Sequence, residues 1–193
     1  MNKKTNYNEL YKIAESQSGF FTTKQAKKAG YSWERLSSLS KQKKFQRIER
    51  GIYRIMLFPS SQFEDFFIAV LKSGEDSVVS HESALYVYDL SDILPDEIHI
   101  TIPKNRSRRR EGIKYHICRI NKNEITSYQG LPITTVERTI ADIIRTGMDI
   151  HLVNQSIKQA IERGMITRQS LLDETKNFSK TVRKIIHSGL KMV

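Results

Sequence analysis

The stretch that decides the fold is FFTTKQAKKAGYSWERLSSLSKQKKF, residues 20–45, which contains two helix start signals with a turn between them. Thr22 or Thr23 precedes KQAKKA, and Ser32 precedes WERLSSLSKQ; hydroxyl side chains at such positions commonly cap the first turn of a helix. Gly30 stands between the two segments, where glycine suits the tight turn that leaves a helix. The pattern predicts a helix-turn-helix.

A β-hairpin is predicted directly after it. KKFQRIERGIYRI, residues 43–55, places β-favouring side chains on both sides of a short ERG connection. Upstream, the apolar residues of segment 7–13 recur at helical spacing and predict a first helix. Helix, helix-turn-helix and hairpin in this order make the winged form of the motif. A linker follows at Pro59, so we expect one domain of residues 1–59 and a second of residues 60–193.

The second region is predicted to mix helices with a small sheet. Segments 96–104 and 112–120 alternate apolar and polar residues in period two and indicate strands, whereas segment 130–147 begins as a strand and continues as a helix capped by Thr134 or Thr135. Helical spacing indicates the remaining elements, at residues 62–74, 81–90, 151–165 and 167–190, the last with a break near Asn177. The predicted fold class is α+β: an N-terminal winged helix-turn-helix followed by a mixed α/β domain with a small sheet.

Positive charge is concentrated at the start of the chain. The formal net charge is +11, and residues 1–60 hold 13 Lys and Arg against 4 Glu. Such an excess favours a polyanionic partner, nucleic acid or an anionic membrane surface, and its place in the helix-turn-helix favours DNA. The alternative is a winged helix that docks proteins and carries an ordinary basic surface.

The predicted DNA contacts follow from how a helix-turn-helix docks. Its second helix enters the major groove, while cations on the preceding helix and on the wing reach phosphates. The predicted DNA-binding residues are Lys24, Lys27, Lys28, Ser32, Arg35, Ser38, Lys41, Lys43, Lys44, Arg47, Arg50 and Arg54. The loop arginines Arg106, Arg108, Arg109 and Arg110 are equally well explained as a solvated loop or as a second phosphate contact.

Trp33 is predicted to be a core or staple residue rather than a base contact. It shares the helical spacing of Leu36 and Leu39, and an aromatic residue at the start of such a helix more often packs inward.

Cys118 is the only cysteine in the sequence, which excludes an internal disulfide and a multi-cysteine zinc site and fits a reducing cytosol. The polar N-terminus lacks an apolar segment followed by a cleavage site, and no run reaches the roughly 18 apolar residues that cross a bilayer. We therefore expect a cytoplasmic protein without a membrane partner.

The candidate catalytic residues of the second region fit no familiar enzyme motif; they are His81, Glu82, Asp89, Asp96, Glu97, His99 and His116. A zinc deaminase needs His-x-Glu and a cysteine pair, but residue 83 is Ser and there is one cysteine. A metal-dependent nuclease needs an acidic residue two positions before a lysine on a strand; PDEIHITIPK at 95–104 has none there, and EGIK at 111–114 has the wrong spacing. A Gly-rich phosphate loop and a G-x-S-x-G elbow are also absent from the sequence.

His99 and His116 lie out of phase with the isoleucines of their strands, which predicts solvent-facing or hydrogen-bonded histidines rather than metal ligands. We expect no enzyme activity, no metal and no cofactor.

The sequence resembles the AbiEi-type antitoxins of bacterial type IV toxin-antitoxin systems. Four segments carry the resemblance in the family's order: GFFTTKQAKKAGYSWERLSSLSKQKKFQRIERGIYRI at 19–55, SHESALYVYDL at 80–90, PDEIHITIPKNR at 95–106 and GLPITTVERTIADII at 130–144. The resemblance implies that the winged helix binds inverted repeats in the promoter of its own operon and represses it. It also implies that the second domain is an antitoxin domain, which counteracts a nucleotidyltransferase-like toxin without forming a stable complex with it. It brings no catalytic residues.

Two other functions remain open on the residues alone. One is a stand-alone transcriptional regulator whose second domain senses a ligand or partner. The other is an enzyme acting on nucleic acid or nucleotides, with His81 and Glu82 as its centre.

Overall fold

The computed structural model describes residues 5–104 and 110–191 and divides into two compact units. The first comprises Met1–Glu75 with Gln129–Leu131, and the second comprises Asp76–Tyr128 with Pro132–Val193. Helices and strands occur in both units, which confirms the predicted α+β class. Pro59, where we placed the domain boundary, lies within the first unit, and the division into domains 1–59 and 60–193 stays a prediction.

The first unit has the element order of a winged helix-turn-helix. Its elements are α1 (Tyr7–Glu15), β1 (Phe20–Thr22), α2 (Thr23–Lys28), α3 (Trp33–Lys41), β2 (Phe45–Glu49), β3 (Ile52–Ile55) and α4 (Glu64–Ser73). Helices α2 and α3 form the helix-turn-helix, and strands β2 and β3 form the wing. β3 is the central strand of an antiparallel sheet in the order β1-β3-β2.

Thr22 and Ser32 cap the first turns of α2 and α3 and so determine where the two helices begin. The side-chain oxygen of Thr22 accepts a hydrogen bond from the backbone N–H of Gln25 at 3.2 Å, and the Gln25 side chain accepts one from the N–H of Thr22 at 2.7 Å. Ser32 caps α3 by accepting from the N–H of Arg35 at 3.2 Å. Gly30, with φ of +81°, turns the chain between the helices. Thr22 rather than Thr23 is therefore the cap.

The core of the first unit joins its helices to its sheet. Leu10 of α1, Phe21 of β1 and Leu36 of α3 are fully buried. The Phe21 ring stacks on Tyr53 with 5.7 Å between centroids and meets Phe45 edge-on at 5.1 Å. The three-residue strand β1, which is not predicted from the sequence, thus supplies a central part of this core.

The second unit holds the remaining elements, except that Leu131 at the start of β8 is assigned to the first unit: β4 (Val78–Val79), α5 (His81–Tyr88), β5 (Ile98–Ile102), β6 (Ile113–Ile117), β7 (Ile125–Tyr128), β8 (Leu131–Thr134), α6 (Val136–Arg145), α7 (Ile150–Glu162), α8 (Arg168–Glu174) and α9 (Lys180–Leu190). The strands form a mixed sheet in the order β6-β5-β4-β8-β7. Thr135 caps α6. A short turn at Thr175–Asn177 separates α8 from α9, which agrees with the predicted break near Asn177.

Candidate nucleic-acid interface

Helix α3 buries one face and exposes its first turn. Leu36 and Leu39 belong to the core, whereas Ser32 and Arg35 are exposed and Ser38 is half-buried. The N-terminal residues of a recognition helix are those that reach base edges in the major groove. Ser32 and Arg35 therefore occupy positions suited to base recognition.

Most of the predicted phosphate contacts are exposed cations. In the part of the chain that the structure describes, seven of them form no salt bridge with an acidic side chain: Lys27, Arg35, Lys41, Lys43, Lys44, Arg47 and Arg50. We call these seven residues the unpaired cations. Since they have no carboxylate partner to displace, their charge is available to phosphate groups.

Lys24 and Lys28 differ from the unpaired cations because both approach Glu75. The ammonium groups lie 3.0 Å and 3.6 Å from the Glu75 carboxylate, and hydrogen bonding from Lys24 is the main reason that the pKa of Glu75 is lowered. Exposed ion pairs of this kind contribute little free energy, so a phosphate group can compete for either lysine.

The wing tip is a tight turn anchored to the helix-turn-helix. Gly51 has φ of +87°, and its carbonyl oxygen accepts a hydrogen bond from the N–H of Thr23 at 2.9 Å. Arg50, beside it, is exposed. This anchor holds the turn that carries Arg50 next to the start of α2.

Arg54 is not at the surface, contrary to the sequence prediction. The residue is 8% exposed, and its side chain donates hydrogen bonds to the backbone oxygens of Phe58 and Pro59 at 3.2 Å and 2.8 Å. It also pairs with Glu64 at 3.1 Å, and its guanidinium lies 5.5 Å from the centroid of the Phe20 ring. The central strand β3 is buried on both faces, so Arg54 is a structural residue and leaves the set of candidate contacts.

Trp33 is exposed, so its predicted place in the core is wrong. It is the first residue of α3, one turn before Leu36, and 53% of its surface is accessible. The guanidinium carbon of Arg47, on β2, lies 5.9 Å from the centroid of its ring, within the range of a cation–π interaction. The sequence signal that would have found this residue is its position at N1, where a side chain projects beyond the helix end rather than over the core.

The basic loop of the second unit lies mostly outside the described residues. Arg106, Arg108 and Arg109 fall in the gap at 105–109, and Arg110 is exposed and pairs with Ile113 in an isolated β-bridge. A second phosphate contact at these arginines stays a prediction.

Three histidines of the second unit lie together although they are far apart in sequence. The rings of His81 and His116 stack with 3.5 Å between centroids, and Nε2 of His116 lies 3.4 Å from Nδ1 of His99. His99 is 3% exposed, and its Nε2 lies 3.7 Å from the Glu82 carboxylate. His99 and His116 are thus hydrogen-bonded, one of the two forms predicted. His81 opens α5 with φ of +54°, a strained conformation for a residue other than glycine.

Burial keeps this histidine cluster neutral. Burial is the main cause that lowers the pKa of His81 to about 2 and the pKa of His99 and of His116 to about 4. The neighbouring imidazoles lower the pKa of His81 and of His116 further, and Lys114 lowers that of His99 and of His116. Neutral imidazoles at pH 7 add no charge that attracts phosphate. Within the described residues, no group of three or more His, Cys, Asp or Glu side chains is arranged to hold a metal ion.

A buried arginine is the main polar feature that the sequence analysis missed. Arg138, on α6, is 4% exposed and donates hydrogen bonds to Glu124 at 2.6 Å and to Asp142 at 2.9 Å. It lines a cavity of about 570 Å³ together with polar residues that include Arg119, Arg145, Asn121, Asn123, Glu124, Asp173 and Glu174. The available signal was the segment ERTIAD, in which Arg138 and Asp142 stand four residues apart on one helix.

The first unit matches a known protein family in sequence. The family model described as "Transcriptional regulator, AbiEi antitoxin" matches residues 8–55, which span most of α1 through β3. The predicted resemblance is confirmed over this segment. A comparison with curated proteins gave no match.

The chain is similar in fold to a solved structure. The crystal structure of the RV2827C protein from Mycobacterium tuberculosis superposes with a TM-score of 0.56 and 12% sequence identity, over 95% of this chain and 75% of that chain. At this level of identity the similarity concerns the fold alone.

The described helices do not have the features of a membrane span. Among the residues that the structure describes, none of the helices combines the length and the apolar character needed to span a bilayer.

Proposed function

Because residues 8–55 match the family of AbiEi antitoxin transcriptional regulators, we propose that the protein is a regulator that binds double-stranded DNA through its winged helix. The observation that carries the proposal is the set of unpaired cations on the helix-turn-helix and the wing. They are exposed, and they belong to the segment in which the positive charge of the chain is concentrated. Cations of this kind supply the salt-dependent, phosphate-directed part of DNA affinity.

The proposed DNA target is an inverted repeat in the promoter of the protein's own operon, where binding represses transcription. Two winged helices on one site bind half-sites about one helical turn apart, roughly 34 Å or a multiple of it. Ser32 and Arg35 are the residues assigned to base contacts, with Ser38 farther along the same helix. The wing arginines Arg47 and Arg50 are assigned to the phosphate backbone or the minor groove.

The second unit is assigned the antitoxin role. In this proposal it counteracts a nucleotidyltransferase-like toxin without a stable complex between the two proteins. The support is the resemblance of segments 80–90, 95–106 and 130–144 to the corresponding segments of AbiEi-type antitoxins. No catalytic step is assigned to the histidine cluster.

A stand-alone regulator is the second candidate function, and the cavity at Arg138 favours it. A cavity of about 570 Å³ lined by arginine, asparagine and carboxylate side chains is large enough for a small polar ligand. In this alternative, ligand binding in the second unit modulates DNA binding by the first.

A mobility-shift titration tests the DNA-binding proposal. We expect the full-length protein to shift duplexes from the region upstream of its own coding sequence in preference to scrambled duplexes of equal composition, with an affinity that falls as salt rises. A shift that ignores both sequence and salt contradicts the proposal.

Co-expression with the product of the adjacent gene tests the antitoxin assignment. The full-length protein and a variant with Arg35, Arg47 and Arg50 all changed to Ala are compared for growth and for repression of a promoter reporter. We expect both proteins to restore growth and only the wild type to repress. If neither restores growth, the stand-alone regulator becomes the better explanation.

A further inference from the structure

Trp33 and Arg47 form an exposed pair at the start of the recognition helix. Trp33 is the only tryptophan in the sequence and the first residue of α3. The guanidinium of Arg47, an unpaired cation on β2, lies 5.9 Å from the centroid of the indole ring. The pair therefore connects the recognition helix to the wing.

Trp33 is not needed to complete the core of the first unit. The adjacent core positions of α3 are filled by Leu36 and Leu39, which are 0% and 7% exposed, while Trp33 is 53% exposed. Single exposed apolar residues are common and mean little alone. Here the exposed residue is the largest side chain, it stands at the N-terminus of the helix assigned to the major groove, and a planar cation lies over its ring.

We propose that Trp33 recognises thymine in the major groove and that Arg47 contacts the adjacent phosphate. This inference rests on the proposed DNA-binding function. The C5-methyl group of thymine is the apolar feature that the major groove presents, and side chains read it by apolar contact. The N-terminal end of a recognition helix is the part that reaches base edges. The cation–π contact with Arg47 restricts the motion of the indole and places a positive charge beside it, where a phosphate group follows each base.

The single tryptophan makes the proposal directly measurable. The full-length protein is titrated with duplexes that tile the DNA upstream of its own coding sequence, while binding is followed in parallel by the anisotropy of labelled DNA. We expect the intrinsic tryptophan fluorescence to change in intensity or wavelength as binding saturates. Specific binding that leaves this fluorescence unchanged overturns the proposal.

Removal of the thymine methyl group identifies the contact. In the tightest-binding duplex, each thymine is replaced in turn by uracil, which lacks only the methyl group. We expect at least one replacement to weaken binding by the wild type about fivefold or more, in the range of a single lost base contact. Trp33→Ala should bind the unsubstituted duplex more weakly by a similar factor and should be insensitive to that replacement.

Matched variants separate this contact from a general loss of affinity. Leu57→Ala removes another exposed apolar side chain of the first unit, 72% accessible, and should bind as the wild type does. Arg47→Lys keeps the charge but loses the planar group over the ring, so we expect it to bind less tightly than the wild type and more tightly than Arg47→Ala.

The outcomes also distinguish this proposal from the DNA-binding function on which it rests. Sequence-specific binding that is unchanged in Trp33→Ala refutes the thymine contact and leaves the regulator function standing. Absence of specific binding to every duplex refutes both.

Discussion

The Nη2 atom of Arg54 donates a hydrogen bond to the backbone oxygen of Pro59 at 2.8 Å, so this arginine of the wing strand β3 holds the chain that leaves the wing. The same guanidinium pairs with the Glu64 carboxylate at 3.1 Å. Arg50, four residues earlier at the wing tip, is exposed and is one of the unpaired cations. Two arginines of one hairpin thus lie in different environments: Arg54 is buried and paired within the fold, and Arg50 is exposed where the proposed DNA contact needs it.

We predict that Arg54→Ala destabilises the fold and that Arg50→Ala does not. Loss of Arg54 removes the cation paired with the Glu64 carboxylate and the side-chain donor to two backbone oxygens, which costs about 2–4 kcal/mol in the free energy of unfolding. Arg50→Ala should change that free energy by less than about 0.5 kcal/mol while weakening DNA binding. Urea denaturation followed by circular dichroism measures the first effect, and a mobility-shift titration measures the second. Equal stability of the two variants would contradict the assignment.

Arg35 and Lys43 should separate sequence preference from general affinity. Arg35 lies in the first turn of α3, whereas Lys43 follows the helix, and both are exposed. Arg35→Ala should reduce the difference in affinity between the promoter duplex and a scrambled duplex. Lys43→Ala should weaken binding to both duplexes alike and lower the slope of log affinity against log salt by about 1. Titrations of both variants at several salt concentrations test this; an Arg35 variant that keeps full preference would remove Arg35 from base recognition.

The helix-turn-helix and wing were predictable because their signals are local. Thr22, Gly30 and Ser32 act through backbone groups only a few residues away, so the sequence contains each cap or turn together with the groups it serves. The same reasoning failed for Arg54. Strand β3 appears half-exposed from its own residues, but β1 pairs with its second edge and α4 contacts it as well, so all four of its residues are buried.

The histidine cluster and the Arg138 network were not predictable, because they depend on distant pairing. His99 and His116 meet through the parallel pairing of β5 with β6, and His81 reaches them from α5. Arg138 meets Glu124 across 14 residues. Periodicity within a segment indicates which face of an element is apolar, but it contains no information about which element will pack against that face.

Arg138 should be a large contributor to the stability of the second unit. Its replacement by Ala removes the closest cation from the buried Glu124 and Asp142 carboxylates, for which we expect a loss of about 3–5 kcal/mol in the free energy of unfolding. Arg145→Ala is the matched control, since Arg145 also pairs with Asp142, at 3.5 Å, but is half exposed. It should cost about 1 kcal/mol or less. Thermal denaturation of both variants tests the contrast, and a stable Arg138→Ala protein would show that the two carboxylates find other partners.

The histidine cluster should make the fold sensitive to mild acid. His81, His99 and His116 have lowered pKa values in the folded protein, whereas in the unfolded chain they take up protons near pH 6.5. The unfolded state therefore binds more protons below pH 6.5, and stability is lost as the pH falls from about 7 towards 4. We expect a loss of about 1–2 kcal/mol for each histidine at pH 5, because a folded pKa of about 4 for His99 and His116, and of about 2 for His81, leaves the imidazole neutral there.

Charged neighbours modify this loss but do not reverse it. Glu82, beside His99, favours the protonated form, whereas Lys114, Arg138 and Arg145 oppose it. His116→Gln removes one titrating group and should flatten the fall in melting temperature between pH 7 and pH 5. His151→Gln, which changes an exposed histidine on α7, should leave the profile as in the wild type. Melting temperatures measured by circular dichroism across this range decide the matter: a wild-type profile that is flat from pH 7 to 5 would mean that the cluster opens to solvent and takes up protons without unfolding.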